Sequence, residues 1–287
     1  MTGSSVREAL DAAVDGLRAA GVAEPRLDAE LLLGEAMGLG RAALVADSGM
    51  EVPAGAARAF GEMVRRRLRR EPVAYILGRK GFRNLDLAVD ARVLVPRPET
   101  EMLVELALEL QPGSVLDVGT GSGAIALAVA DELPECAVTA TDTSAAALEV
   151  AHANAGRLGL VDRVDFAEGT LPEGEFDLIL ANLPYIAERD WPSIQPEVTQ
   201  WEPREALLAG PEGLDAYRAF VPRCGRAFPS QGGETSTAVA VEVGEGQAEA
   251  VATLMRESGF GGVETRRDLA GIERVVIGSA LADGKAA

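Results

Sequence analysis

The chain has 287 residues, of which 47% are hydrophobic and 25% charged, with a formal net charge of −18; this is a globular composition and excludes a disordered or fibrous protein. No apolar run approaches the roughly 18 residues of a membrane span, and MTGSSVREAL lacks the basic start and apolar stretch of a secretory signal, so a cytoplasmic location is expected. Cys136 and Cys224 lie far apart without ligand-like neighbours and His152 is the single histidine, which excludes a zinc pattern, a disulfide framework and a histidine-based triad.

In chain order, Val6, Leu10, Val14 and Leu17 recur at helical spacing, and Leu27, Leu31 and Leu32 suggest a second helix. Gly21, the Gly38/Gly40 pair and Pro53 mark breaks. Residues 54–70 predict a further helix ending in RRRLRR; a nucleic-acid patch is the alternative, but the run is read as a solvated face whose cations suit a helix C-terminus. Residues 1–70 are therefore expected to form a small helical domain.

Residues 71–98 change character. Val73, Tyr75, Ile76, Leu85, Leu87, Val89, Val93 and Val95 around Gly78, Gly81 and Asn84 predict extended segments, a hairpin linker or hinge. Pro96-Arg97-Pro98 stiffens the join, and Glu99, Thr100 and Glu101 open a helix.

Beyond residue 113, strands alternate with helices. Strands are predicted at 114–118, 137–142, 163–168, 176–182 and 237–243, with two closing strands near 262–267 and 273–278. Helices are predicted after the first strand, at about 144–158 behind Thr143 or Ser144 as cap, and at about 246–258. This is an α/β pattern: a mostly parallel, Rossmann-like sheet covered on both faces, spanning residues 99–280. Residues 281–287 read as a tail.

Asp117-Val-Gly119-Thr120-Gly121-Ser122-Gly123 follows the first strand and precedes a helix. Glycines there allow a tight turn and a close ligand approach, and the helix N-terminus offers N–H groups to a carboxylate. Asp142, ending the next strand, is placed to accept both hydroxyl hydrogens of a ribose. The loop by itself leaves the cofactor open, because Gly119, Gly121 and Ala124 also satisfy a dinucleotide pattern.

Asn182-Leu183-Pro184-Tyr185 narrows the choice. It follows a buried strand, at the carboxyl end where such sheets bind ligands. An amide nitrogen is a poor nucleophile because its lone pair is delocalised. The Asn182 oxygen and the Leu183 carbonyl can each accept one N–H, while the Tyr185 ring covers the flat face. That arrangement aims the nitrogen at an electrophilic methyl and works by positioning.

The chain resembles the family that methylates a glutamine side chain of peptide chain release factors. The resemblance runs through PVAYILGRKGF (72–82), VLVPRPETE (93–101), VLDVGTGSGAIALA (115–128), NLPYI (182–186), QPEVTQWEPREALLAGPEGLDAYR (195–218), VEVGEGQAEAV (241–251) and DLAGIERVVIG (268–278). It implies a helical N-terminal domain that docks the substrate, a hairpin linker and a Rossmann-like methyltransferase domain. It implies S-adenosylmethionine held by Asp117, Gly119, Thr120, Gly121, Ser122, Gly123, Asp142, Thr170, Leu171 and Asn182. It also implies a substrate glutamine held by Asn182, Leu183, Pro184 and Tyr185, with Phe82 nearby. No metal is expected, and the protein is expected to be a monomer.

Three departures stand out. Leu183 replaces the first proline of the family's N-P-P-Y, although Pro184 still holds it extended. Thr170 and Leu171 stand where the family often has an acid and an aromatic residue beside the adenine. Residues 225–236 form a longer connection than usual. The N-L-P-Y motif is also similar to that of RNA adenine dimethyltransferases. Residues 1–80 carry 12 Lys+Arg against 11 Asp+Glu, so the net negative charge lies wholly in the remainder, which would repel nucleic-acid phosphates. Direct nucleic-acid binding is therefore not expected. A small amide or amine remains an alternative substrate.

Overall fold

The computed structural model describes residues 4–227 and 237–279. They fall into two compact units, one of residues 4–79 with 195–201, the other of residues 80–194 with 202–227 and 237–279. The expected long connection lies almost wholly outside the described residues, as does the tail.

The first unit is helical. α1 (Val6–Ala19) begins with a capping box, in which the Ser5 hydroxyl accepts from Glu8 N while the Glu8 carboxylate accepts from Ser5 N. Its buried face is the predicted Val6, Leu10, Val14 and Leu17 stripe. α2 (Pro25–Met37) ends on Gly38 in the left-handed region, where a residue without Cβ costs least. α3 (Arg41–Ala46), a helix the sequence pattern did not suggest, and α4 (Ala54–Leu68) complete the packing around Leu32, Leu33, Leu44 and Phe60.

Two expectations fail here. Val73, Tyr75 and Ile76 are not extended: they form a short helix, α5 (Val73–Leu77), and the compact unit runs on to Arg79. Pro72 at its start and Gly78 (φ 70°) at its end enclose one turn, and those terminators override the strand preference of β-branched residues. The arginine run is not a solvated face either. Arg67 is 5% exposed; its Nε donates to Asp28 at 2.7 Å and its Nη2 to Glu197 at 2.6 Å. Arg70 Nε also donates to Glu197, at 2.8 Å, and Arg66 Nε to Glu71 at 2.9 Å. At 3.6 residues per turn the run wraps around the helix end, so only part of it meets water: Arg65 and Arg69 are exposed. Glu197 belongs to α9 (Pro196–Trp201), far along the chain yet part of this unit.

The second unit opens with a two-stranded hairpin, β1 (Arg79–Phe82) and β2 (Leu85–Ala88). Val89 to Val95, predicted as extended, form no strand; Asp90 caps a turn there by accepting from Arg92 N at 3.0 Å. A 3-10 turn, Pro98–Thr100, leads into α6 (Glu101–Leu110).

The strands β3 (Ser114–Val118), β4 (Ala137–Asp142), β5 (Val164–Glu168), β6 (Leu178–Ala181), β7 (Ala238–Glu242), β8 (Gly262–Arg267) and β9 (Glu273–Ser279) form one sheet in the order β5-β4-β3-β6-β7-β9-β8. The five strands β3 to β7 run parallel, and β9 is antiparallel to both β7 and β8. This is the expected mostly parallel sheet. α7 (Ala124–Glu132), α8 (Ala145–Leu158), α10 (Asp215–Ala227) and α11 (Ala248–Glu257) cover its faces, giving two apolar clusters, one around Leu127 and Leu180 and one around Ile179 and Met255. Ser144 caps α8 as predicted, accepting from Ala147 N at 3.2 Å. The chain leaves β3 toward β4 and β5, then returns to place β6 on the other side, so the switch point lies at the carboxyl ends of β3 and β6.

Candidate active site

At that switch point lies a cavity of about 320 Å³. Its walls include Gly119 and Gly121 from the loop after β3, Asp142 at the end of β4, Gly169 and Thr170 after β5, and Asn182, Leu183 and Pro184 after β6. The two sequence motifs, some 60 residues apart, thus meet in one space, of the size of small-molecule sites.

The loop owes its path to its glycines. Gly119 and Gly121 have φ of 75° and 56°, where a branched side chain is strained whatever the space around it. Gly123 (φ 85°) is needed for packing as well, since a Cβ there would stand 2.8 Å from Leu127 Cδ1. Asp117 is fully buried. Its Oδ2 accepts from the Thr120 hydroxyl at 2.6 Å and from Ala126 N at 3.1 Å, while its Oδ1 has no partner among the described residues. Burial pushes this carboxyl up to about 7 against those hydrogen bonds. One first-turn N–H of α7 is therefore already satisfied from within, and the helix end is less open to a carboxylate than the sequence suggested.

Asp142 Oδ2 accepts from Gly121 N and its Oδ1 from Ser144 N, both at 2.9 Å. An ionised carboxylate has about four acceptor sites, so roughly two remain for the hydroxyls of a ribose. Asp142 both shapes the loop and faces the cavity.

Asn182 Nδ2 donates to the Thr100 hydroxyl at 3.0 Å. Among the described residues no hydrogen bond is made to Asn182 Oδ1 or to the Leu183 carbonyl, so two acceptors are left unpaired on residues that line the cavity. Tyr185 follows, half-buried, its carbonyl accepting from Gln247 Nε2 at 2.9 Å and its ring beside Gly244. Burial pushes its hydroxyl up to about 12, so it stays protonated.

Comparison with known proteins bears on this geometry. Residues 8–78 match the model of the PrmC N-terminal domain, and residues 115–201 match that of a methyltransferase domain. A release factor glutamine methyltransferase of Caulobacter vibrioides is 41% identical over 279 residues, covering 94% of this chain and 95% of its own. One of Bordetella pertussis is 44% identical over 259 residues, covering 88% and 93%. The chain belongs to the release factor glutamine methyltransferase family. Among solved structures, the hMettl16 catalytic domain in complex with the MAT2A 3'UTR hairpin 6 aligns with a TM-score of 0.55 at 13% identity, over 70% of this chain and 77% of that one; this likeness shows the fold alone.

Within this family frame, not every residue implied by the resemblance reaches the cavity. Asp117, Thr120, Ser122 and Gly123 shape the loop without lining the cavity, and all four are buried. Leu171 packs against the second apolar cluster instead, and so does Tyr185, which does not line the cavity. Phe82 is 1% exposed in the core with Leu85, Leu87 and Leu103, an aromatic residue drawn inward by its apolar area rather than set beside a substrate. Thr170 does reach the cavity, where its hydroxyl accepts from Arg223 Nη1 of α10 at 2.9 Å. A hydroxyl–guanidinium pair thus stands where the family often has an acid.

Sequence reasoning missed the supports. Asn154 of α8 is fully buried; its Nδ2 donates to Ser122 O at 2.9 Å and Ala88 O at 3.0 Å, and its Oδ1 accepts from Ala88 N at 2.7 Å, tying the glycine loop to the hairpin. Glu202 accepts from Val95 N at 2.9 Å and from Arg97, anchoring the PRPETE segment. A polar residue such as Asn154 inside an otherwise apolar helix face was the available signal. Cys136 and Cys224 are buried free thiols.

Proposed function

We propose that the protein transfers a methyl group from S-adenosylmethionine to the side-chain amide nitrogen of a glutamine in a peptide chain release factor. The observation that carries this reading is the pair of unpaired acceptors, Asn182 Oδ1 and the Leu183 carbonyl, on residues that line a cavity together with Asp142 and the glycine loop. The family membership supports the same substrate.

The residues present fit the cofactor. Asp142 retains acceptors for a ribose diol, the positive-φ glycines present backbone without side chains, and Thr170 with Arg223 lines the wall beyond Asp142. Bound there, S-adenosylmethionine supplies an electrophilic methyl group. Asn182 Oδ1 takes one hydrogen of the substrate amide and the Leu183 carbonyl takes the other, which turns the nitrogen toward that methyl and lowers the entropic part of the barrier. Pro184 keeps Leu183 extended so that its carbonyl points one way. Nitrogen that has accepted a methyl is strongly acidic and releases its proton to water, so no base of matched pKa is required before attack.

The helical unit serves, in this reading, as the resting surface for the release factor body. The protein works as a monomer in the cytoplasm, without a metal and without binding nucleic acid directly. Among the described residues no helix is long and apolar enough to cross a membrane, and no cluster suits a metal ion. The test is incubation with methyl-labelled cofactor and, separately, release factor, ribosomal RNA and small amides. Label on a glutamine of the release factor is the expected result; label on RNA or a small amide alone would overturn the reading.

A further inference from the structure

We propose that Thr100 and Glu242 are positioning residues that fix which end of the Asn182 amide faces the substrate. The inference rests on the glutamine-amide reading above. Three separate elements meet here: the turn Pro98–Thr100, the last residue of β7, and the residue that follows β6. The Thr100 hydroxyl donates to Glu242 Oε2 at 2.6 Å and accepts from Asn182 Nδ2 at 3.0 Å.

The polarity of this chain follows from counting hydrogens. A hydroxyl has one, and an ionised carboxylate has none. With Glu242 ionised, the Thr100 hydrogen is committed to it, and Thr100 has only lone pairs left for Asn182. Asn182 must then present its NH2 to Thr100, which leaves Oδ1 as the free end. The two ends of an asparagine amide are nearly the same shape, so packing alone selects weakly between them. Turned over, Asn182 would meet a substrate NH2 with N–H groups and no acceptor, and the substrate nitrogen would lose half its alignment.

The surroundings hold the chain stiffly. Thr100 is 4% exposed and Glu242 2%. Glu242 is faced by Glu99 and Arg97 from the turn before α6, by Arg274 from β9, by Tyr185, and by Tyr217 of α10, whose hydroxyl donates to the Glu242 backbone carbonyl at 2.7 Å. Burial pushes the Glu242 carboxyl up to about 7; the Thr100 hydrogen bond opposes this, Glu99 adds to it, and Arg274 and Arg97 oppose it. Once protonated, Glu242 becomes a donor to Thr100. The Thr100 hydrogen is then released to Asn182, and the amide can reverse. Substrate alignment is therefore kept on the alkaline side of this titration and weakened on the acid side.

The full chain, labelled with nitrogen-15, gives a readout that needs no substrate. The Asn182 side-chain NH2 resonance, assigned by its loss in Asn182→Ala, should titrate near neutral pH in the wild type and stay flat in Glu242→Gln. In Thr100→Val it should lose its protection from solvent exchange. With release factor as substrate, Thr100→Val should lower kcat on the order of 10–100-fold through misalignment, with S-adenosylhomocysteine affinity unchanged by calorimetry. Thr100→Ser should restore turnover, and the acid limb of the kcat profile should vanish in Glu242→Gln. Thermal melts identify any variant that fails to fold, in which case the folded ones decide. A Thr100→Val enzyme as fast as wild type, or an Asn182 resonance indifferent to both substitutions, overturns the proposal. A wild type with the predicted resonances but no activity on release factor would instead defeat the glutamine reading and leave the orientation device standing.

Discussion

Asp142 has one duty the structure shows, holding the loop, and one proposed here, holding the ribose, and the sequence reveals them unequally. Its position at the end of the second parallel strand is legible from the spacing to the glycine loop, and that position is what suggests a ribose role. Its grip on Gly121 N and Ser144 N is not legible, because hydrogen bonds to backbone leave no trace in residue type. Asp142→Ala should therefore weaken S-adenosylmethionine binding by about tenfold or more, the cost of losing bonds to a charged acceptor, and calorimetry reads it directly. Unchanged affinity would remove Asp142 from the cofactor site. Asn182 and Leu183 divide differently. The proposed part of Asn182 is its side-chain oxygen and that of Leu183 its main-chain oxygen, so Asn182→Ala should abolish turnover while cofactor affinity falls far less. Leu183→Pro keeps the carbonyl and should stay active; single-turnover rates with saturating cofactor distinguish the two.

At the scale of elements, terminators and caps were read well where they are local. Ser144 opens α8, Pro53 and Gly38 bound helices, and the closing pair β8 and β9 lies within a residue of its prediction. What escaped is what depends on distant partners. Val73 to Leu77 fold as a helix because Pro72 and Gly78 isolate one turn, against the propensity of their side chains. The arginine run looked solvated because nothing nearby in sequence announces Glu197, 130 positions beyond Arg67. That buried cluster predicts a measurable cost. Burial raises the Glu197 carboxyl, but hydrogen bonds from Arg70 and Arg67 outweigh it and hold the group below its ordinary range. A lowered folded-state value means the stabilisation is present at neutral pH and is lost as pH falls through that value. Glu197→Ala leaves Arg67 buried with Asp28 as its remaining acid and should cost on the order of 3 kcal/mol in urea unfolding at pH 7, a cost that shrinks toward acid pH. A variant as stable as wild type at pH 7 would show that the cluster adds specificity rather than stability.

For the whole molecule, the charge split between the nearly neutral first 80 residues and the acidic remainder gains meaning from where the arginines went. Arg66, Arg67 and Arg70 are engaged inside the helical unit and Arg65 pairs with Glu62, so the docking proposed above would draw on the exposed Arg58 of α4 and on Arg69 at its end. Removing residues 1–70 would be a poor test of docking, because it strips Glu197 of both its arginines and leaves α9 without its unit. Charge reversal on the surface avoids that. Arg58→Glu with Arg69→Glu keeps the buried cluster, and should lower kcat/KM for intact release factor through slower association, while a short glutamine peptide, which cannot rest on α4, reacts at an unchanged and slow rate. Added salt should reduce the difference between wild type and the double variant, since screening removes the term the substitutions reverse. If intact factor and peptide respond alike, α4 is not where the substrate rests, and docking must be sought on the acidic unit itself.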